Sequence, residues 1–206
     1  GVYTPSEGDV YFDGTKTTGK KSYQVTQLGM ARTFQNIRLF SELSVIDNVK
    51  IAYNMHVSYN FFDAILRDAK YIKEEEYITQ KALDLLKIFH LEDKAYEQAK
   101  NLPYGEQRRL EIARALATAP KLLLLDEPAA GMNPQETHEL MEMIRWIRDE
   151  FDLSILLIEH DMSLVMGVCE RIYVLEYGML IAEGGPEEIK TNKRVIEAYL
   201  GEEVVD

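Results

Sequence analysis

Apolar and polar residues alternate along this chain with two different periods. Four large apolar residues follow one another at 122–125 and again at 155–158, each time next to polar residues. Short apolar runs of this kind are typical of strands that are buried on both faces of a parallel sheet. Residues 74–90 instead place an apolar side chain at every third or fourth position. That spacing predicts a helix with one buried face.

From residue 105 onward, segments with the helix pattern and segments with the strand pattern follow one another alternately. Strands that alternate with helices indicate an α/β domain with a parallel core sheet. The predicted helices are 105–118, 135–150, 162–169 and 193–200, and the predicted strands are 122–126, 153–158, 172–176 and 179–183, with a turn at Tyr177-Gly178 before the last strand.

The first forty residues have a less regular pattern. Residues 7–13 alternate as a strand does, and Asp13-Gly14 is a turn signal. Residues 15–24 are polar and basic and predict an exposed loop that leads into a short helix. Residues 29–34 predict a short strand that runs into Gln35.

The segment between about residues 42 and 118 interrupts the alternation and predicts an inserted helical subdomain, with 1–41 and 119–206 forming the α/β core. Ser44 is expected to cap a helix, because Asp47 occupies the capping-box position three residues later. Four aromatic residues of this segment could be core or an exposed patch for a partner, and the pattern does not separate the two: Tyr53, Tyr59, Phe61 and Phe62.

Composition narrows the class of protein. A chain of 206 residues fits one domain with a subdomain, and its net charge of −12 argues against nucleic acid as a main partner. The only cysteine, Cys169, cannot form an internal disulfide, which favours a reducing compartment. No apolar run approaches the roughly 20 residues that a membrane span requires.

Two acids stand at the end of the apolar run 122–125. In open α/β sheets, ligands bind at the carboxyl ends of the strands. Asp126 suits Mg²⁺, which takes one or two carboxylates together with phosphate oxygens and water. Glu127 suits a carboxylate that polarises an attacking water. The alternative for both is a solvated acidic turn.

Three further segments carry candidate polar groups. His160 follows the second buried strand, so its imidazole could contact a phosphate and the attacking water, although such a histidine is often structural. Gln35 offers an amide oxygen as a weak Mg²⁺ ligand, although loop glutamines are usually only polar. Gly105 opens a helix whose N-terminus could bind an anion. Three arginines of that helix could be solvated or could pair with the acids around them: Arg108, Arg109 and Arg114.

Taken in order, these segments resemble ATP-binding-cassette (ABC) ATPases, and more closely the branched-chain amino acid importer group among them. The resemblance rests on RTFQNIRLFSELSVIDNV, YGEQRRLEIARAL, DEPAAGMNP, LLIEHDMSLVMGVCERIYVLEYG and VIEAYLGE. It covers the C-terminal four-fifths of such a subunit. The resemblance implies a P-loop NTPase-like parallel core sheet with an inserted helical subdomain.

The resemblance also implies roles for individual residues. Glu127 would be the catalytic base and His160 the switch histidine. Asp126 and Gln35 would hold Mg²⁺. The residues implied to contact ATP are Gln35 in the Q-loop, Tyr104, Gly105 and Glu106 in the signature, and Asn133 in the D-loop. The family works as a dimer in which the signature of one subunit closes over the ATP held by the other.

The sequence departs from the family pattern at two places. Pro103 stands where the widespread signature has a serine, so one hydroxyl contact to the γ-phosphate is missing. The family's G-x-x-x-x-G-K-[ST] loop is expected upstream of Gly1, together with its strand and the aromatic residue that stacks on adenine. Residues 14–20, GTKTTGK, match the first seven positions of that loop, but Lys21 stands where the pattern requires serine or threonine, and the stretch follows the wrong strand, so we reject it.

The function implied is therefore an ATP-hydrolysing subunit of an importer, peripheral to the cytoplasmic face of the membrane. Its expected partners are a second ATPase subunit, identical or different, and permease subunits contacted through about residues 35–100. The 206 residues alone are expected to bind little ATP. Two alternatives stay open: a non-catalytic module that kept the fold, and an ABC ATPase that acts outside transport.

Overall fold

The computed structural model describes residue 1 and residues 3–200. Strands β1 to β7 of this part of the chain are Tyr11–Phe12, Thr15–Lys16, Met30–Arg32, Leu122–Asp126, Ser154–Ile158, Ile172–Glu176 and Met179–Gly184. Helices α1 to α9 are Ser22–Gln27, Val45–Tyr53, Phe61–Leu66, Ala69–Ile88, Tyr104–Leu116, Pro134–Glu150, Met162–Val168, Pro186–Lys190 and Lys193–Leu200. None of the helices described is long and apolar enough to cross a membrane.

The core of the domain is a parallel sheet in the order β3-β4-β5. In its register, Leu124 lies between Arg32 of β3 and Leu156 of β5, and Asp126 lies opposite Ile158. All three strands run in the same direction, so their carboxyl ends meet at one edge. The predicted α/β fold with a parallel core sheet is confirmed.

Strand β4 lies in the middle of this sheet and is its most buried strand. Leu123 and Leu125 are at most 1% exposed. On β5, by contrast, Leu156 and Ile158 are about half exposed. Within the described residues, β5 pairs with β4 alone. The site described below therefore stands on a rigid, buried strand.

Two hairpins accompany the sheet, and each is closed by the two-residue turn that the sequence predicts. Asp13-Gly14 joins β1 to β2, and Tyr177-Gly178 joins β6 to β7. All four residues have positive φ, between 47° and 79°. Positive φ at both central positions is the geometry of a tight hairpin turn. The predicted strand at 7–13 is shorter than expected, since only Tyr11–Phe12 pair.

The segment between the two halves of the sheet is helical, as predicted. Ser44 caps α2: its hydroxyl accepts the N–H of Asp47 at 3.1 Å and donates to the Asp47 carboxylate at 2.6 Å. Helix α2 packs against α4 and α5. Its Val49 shares one apolar core with Leu110 of α5 and Leu123 of the sheet. The division into helical and core subdomains stays a prediction.

The aromatic residues of this segment divide between the two alternatives. Tyr53 packs against the core. Tyr59 is half-buried, makes an edge-to-face contact with Tyr71 at 5.0 Å, and donates its hydroxyl to Glu75. Phe62 is 71% exposed. The side chain of Phe61 lies outside the described part of the structure.

Candidate functional site

The predicted chemical groups gather where β3, β4 and β5 end. Gln35 follows β3, Glu127 follows β4 and His160 follows β5. Gln35 Nε2 donates to Glu127 Oε2 at 2.6 Å, and His160 Nδ1 lies 3.7 Å from Glu127 Oε1. The three neighbouring strands are parallel and end at the same edge of the sheet. The residues that follow them therefore lie close together.

The backbone of Glu127 is held in an unusual conformation. Its φ is +44°, in the left-handed region that residues other than glycine seldom adopt. Its N–H donates to the carbonyl of Ile158 at 2.8 Å, which continues the β4–β5 ladder for one residue. The chain then turns sharply, and the carboxylate, 28% exposed, points to the crevice between Gln35 and His160.

Asp126 has a partner that the sequence analysis missed. Arg32, the last residue of β3, donates from Nη2 to Asp126 Oδ2 at 2.6 Å. The Asp126 side chain is 19% exposed and that of Arg32 is 37% exposed. The available signal was an arginine within the short strand predicted at 29–34, just before Gln35.

Glu159 is a second residue that the sequence analysis missed. Its side chain is 1% exposed. Oε1 accepts the N–H of Ala129 at 2.9 Å, and Oε2 accepts the N–H of His160 at 3.1 Å. The carboxylate therefore fastens the turn after Glu127 to the loop that carries His160. The signal was an acid at the end of an apolar strand, directly before the candidate histidine.

The predicted signature residues lie at the start of α5, and none of them contacts Glu127 directly among the described bonds. Tyr104 is about half exposed, and its hydroxyl accepts from Arg108 at 3.3 Å. Glu106 forms an ion pair with Lys94, with Nζ 2.6 Å from Oε2. Gly105 lines a cleft of about 720 Å³ between α5 and α6.

Asn133 begins α6 as its N-cap. Its side-chain oxygen accepts the N–H groups of Gln135 and Glu136, both at 3.0 Å. The Glu136 carboxylate accepts the Asn133 N–H at 2.8 Å, which completes a capping box. The structure thus shows a structural use for Asn133, and its expected contact with nucleotide stays a prediction.

The donor set around Asp126 fits a hard cation that also binds phosphate. Within the part of the chain that the structure describes, no three His, Cys, Asp or Glu side chains are placed to hold a metal by themselves. Mg²⁺ does not need such a cage, because it takes few protein oxygens and completes its shell with phosphate and water. Asp126 offers a carboxylate. Gln35 uses its amide nitrogen for Glu127, so its amide oxygen is the atom that can bind a cation.

Two known protein families match parts of this chain. Residues 1–130 match the ABC transporter family, and residues 179–205 match a family described as branched-chain amino acid ATP-binding cassette transporters. The first match covers more than half of the chain and includes Gln35, Gly105 and Glu127.

Two proteins of described function are similar in sequence to this chain over almost its whole length. The high-affinity branched-chain amino acid transport ATP-binding protein LivG of Escherichia coli is 44% identical over 98% of this chain and 79% of its own length. BraF of Pseudomonas aeruginosa, with the same description, is 41% identical over the same shares of the two chains.

Solved structures agree on the fold. The ADP conformation of MJ1267, an ATP-binding cassette of an ABC transporter, superposes with a TM-score of 0.79 at 29% identity, covering 98% of this chain and 80% of that one. The dimeric cassette MJ0796 bound to ADP and Pi gives a TM-score of 0.73 at 25% identity, covering 90% and 76%.

Proposed function

The chain belongs to the ABC transporter family as an ABC ATPase, and we propose that it is the ATP-binding subunit of an importer for branched-chain amino acids, in which hydrolysis of Mg-ATP drives transport. The curated relatives LivG and BraF carry that description. The contact of Gln35 with Glu127, and the approach of His160 to the same carboxylate, carry the hydrolytic part of the proposal.

In the proposed mechanism, Glu127 polarises the water that attacks the γ-phosphate. A carboxylate suits that task because it accepts the proton that the water gives up as the new bond to phosphorus forms. His160 holds the water and the γ-phosphate through its two ring nitrogens. Gln35 binds Glu127 Oε2 and thereby fixes the direction of the carboxylate.

Asp126 and Gln35 are the proposed ligands of Mg²⁺. The ion would neutralise charge on the β- and γ-phosphate oxygens. Arg32 contacts one carboxylate oxygen of Asp126, Oδ2, through one guanidinium nitrogen. A second oxygen of Asp126 remains to accept from a water molecule in the metal's shell.

The signature residues are proposed to act on a second subunit. Tyr104, Gly105, Glu106 and Asn133 would contact the ATP held by the partner, which can be an identical or a different ATPase subunit. Their position at the start of α5 and α6, and the exposure of Tyr104 and Asn133, support this, because a partner's ATP needs accessible groups. Helix N-termini also suit phosphate groups.

Permease subunits are proposed to bind the segment 35–100, at the cytoplasmic face of the membrane. The helical subdomain proposed for 42–118 would carry their motion to the ATP site. Support comes from exposed apolar side chains in this segment, which are Phe40, Leu43, Ile51, Ile65, Leu66 and Ile72.

The 206 residues as printed are proposed to bind ATP poorly by themselves. They contain no G-x-x-x-x-G-K-[ST] loop, and that loop supplies most contacts to the phosphates in this class of enzyme. The alternative of a non-catalytic module is less favoured, because a module without ATP chemistry has no use for the contact between Gln35 and Glu127.

Replacement of Glu127 tests the function in the intact transporter. In the Glu127→Gln variant we expect ATPase turnover to fall by roughly 10²- to 10⁴-fold, because the general base is removed. ATP binding should be retained, because the amide keeps the shape of the carboxylate. Glu139→Gln, in an exposed turn of α6, is the control and should keep wild-type turnover. Turnover of Glu127→Gln equal to that of the control would refute the assignment.

A further inference from the structure

Arg108 is fully buried in α5, one turn after the signature glycine. Its guanidinium reaches across to the segment that follows β3. Nη1 donates to the carbonyl of Phe34 at 2.7 Å, and Nη2 donates to the carbonyl of Gln35 at 2.8 Å. Arg108 therefore binds the carbonyl groups of the two peptide bonds that flank Gln35.

Glu111 and Arg114, further along α5, also contact the segment that follows β3. Glu111 is 1% exposed; its Oε2 accepts from Arg108 at 3.0 Å and its Oε1 accepts the N–H of Arg38 at 3.2 Å. Arg114 donates to the carbonyl of Arg38 at 2.5 Å. Side chains spaced by three residues lie on one face of a helix. One face of α5 thus holds the backbone from Phe34 to Arg38.

We propose that Arg108 and Glu111 are positioning residues that fix Gln35 against Glu127 and make the Gln35 segment move with the signature helix. The inference rests on the proposed ATPase function. The chain of contacts is continuous: α5 binds the backbone of Gln35 through Arg108, and the Gln35 amide binds the Glu127 carboxylate at 2.6 Å.

The chemistry of the buried pair favours positioning over stability. Burying two charges costs desolvation energy that their mutual attraction rarely exceeds, so the attraction between Arg108 and Glu111 does not by itself account for the pair. Arg108 Nε is itself buried without a hydrogen-bond partner. What an apolar pair cannot supply is a planar fork that binds two consecutive carbonyl groups, and lysine cannot supply it either.

The test compares Arg108→Lys with the wild type in the intact transporter. Lysine keeps the charge but contacts one carbonyl at a time. We expect kcat to fall by roughly 10- to 100-fold, because small misplacements of catalytic groups cost that much. The KM for ATP should rise less than kcat falls, because the G-x-x-x-x-G-K-[ST] loop, and not Gln35 or Tyr104, supplies most contacts to the phosphates. Hydrogen exchange at the Arg38 amide should become faster, while that of β4 amides should not change.

Two further variants separate positioning from folding. Arg109→Lys alters the neighbouring arginine, which lines the cleft between α5 and α6, and should keep wild-type kcat. The double variant Arg108→Met with Glu111→Leu also leaves the Phe34 and Gln35 carbonyls without their donor, so its urea midpoint should fall, and its kcat should fall by more than the loss of folded protein explains.

Three outcomes have distinct meanings. A kcat of Arg108→Lys that falls by more than KM rises, and by more than the loss of folded protein explains, supports the inference. Wild-type kcat in Arg108→Lys overturns it, and so does a kcat that falls only in proportion to the folded fraction. A wild-type transporter without ATPase activity would instead count against the proposed function, independently of Arg108.

Discussion

The buried carboxylate of Glu159 allows the sharpest test of how the site is held together. Replacing it by glutamine keeps the shape and removes the charge. Glu159 Oε1 accepts the N–H of Ala129 at 2.9 Å, and Oε2 accepts that of His160 at 3.1 Å and that of Asp161 at 3.5 Å. A glutamine has one oxygen only, so its NH₂ group must face the backbone donors on one of the two sides.

The expected loss of stability follows from these bonds. The NH₂ group should face His160, whose N–H is at the exposed surface and can bind water instead, so the loss of that bond costs about 0.5–1.5 kcal/mol. The surviving bond to Ala129 loses its charge assistance, worth about 1 kcal/mol, which together gives a decrease of about 1.5–2.5 kcal/mol in the free energy of unfolding. Because the two bonds tie Glu127 to the loop of His160, ATPase turnover should fall as well.

Urea unfolding of the intact subunit, followed by circular dichroism, measures this decrease. Glu150→Gln provides the matched control, since Glu150 is the exposed last residue of α6 and surface substitutions usually stay within about 0.5 kcal/mol of the wild type. A Glu159→Gln variant as stable and as active as this control would refute the reasoning.

Two further predictions concern the thiol and the nucleotide. Burial raises the pKa of the Cys169 thiol; at pH 8 the folded chain should therefore react with a thiol reagent more slowly than the urea-unfolded chain, and equal rates would contradict this. Isothermal calorimetry of the 206-residue chain should give no saturable ATP binding at micromolar concentrations, in contrast to the intact subunit, and saturable micromolar binding would contradict the proposal.

Much of the fold could be predicted because burial leaves a strong pattern. The run at 122–125 predicted β4 to within a residue, because a central strand must be apolar on both faces. Helices α3 and α8 were missed. They span six and five residues, which is too short for an apolar period to appear.

The candidate site was predicted as a set of residues but not as a set of contacts. Gln35, Glu127 and His160 could be expected at one edge because parallel strands end together. The ion pair of Arg32 with Asp126 depends on the register of β3 against β4, which a sequence does not specify. The role of Arg108 was left open between solvent and an acid, and it binds two carbonyl groups besides Glu111.

Several contacts converge on the backbone and carboxylate of Glu127, whose φ is positive. A left-handed conformation in a residue other than glycine costs about 1–3 kcal/mol and persists only where the surroundings over-determine it. Glu127 is held by its N–H on Ile158, by Gln35 on its carboxylate, and by Glu159 through the turn at Ala129. The Gln35 contact reaches α5 through Arg108, and the Glu159 contact reaches the loop of His160. The direction of the Glu127 carboxylate therefore depends on the positions of both α5 and that loop relative to the sheet. A shift of either element changes the position of the oxygen atoms proposed to activate water.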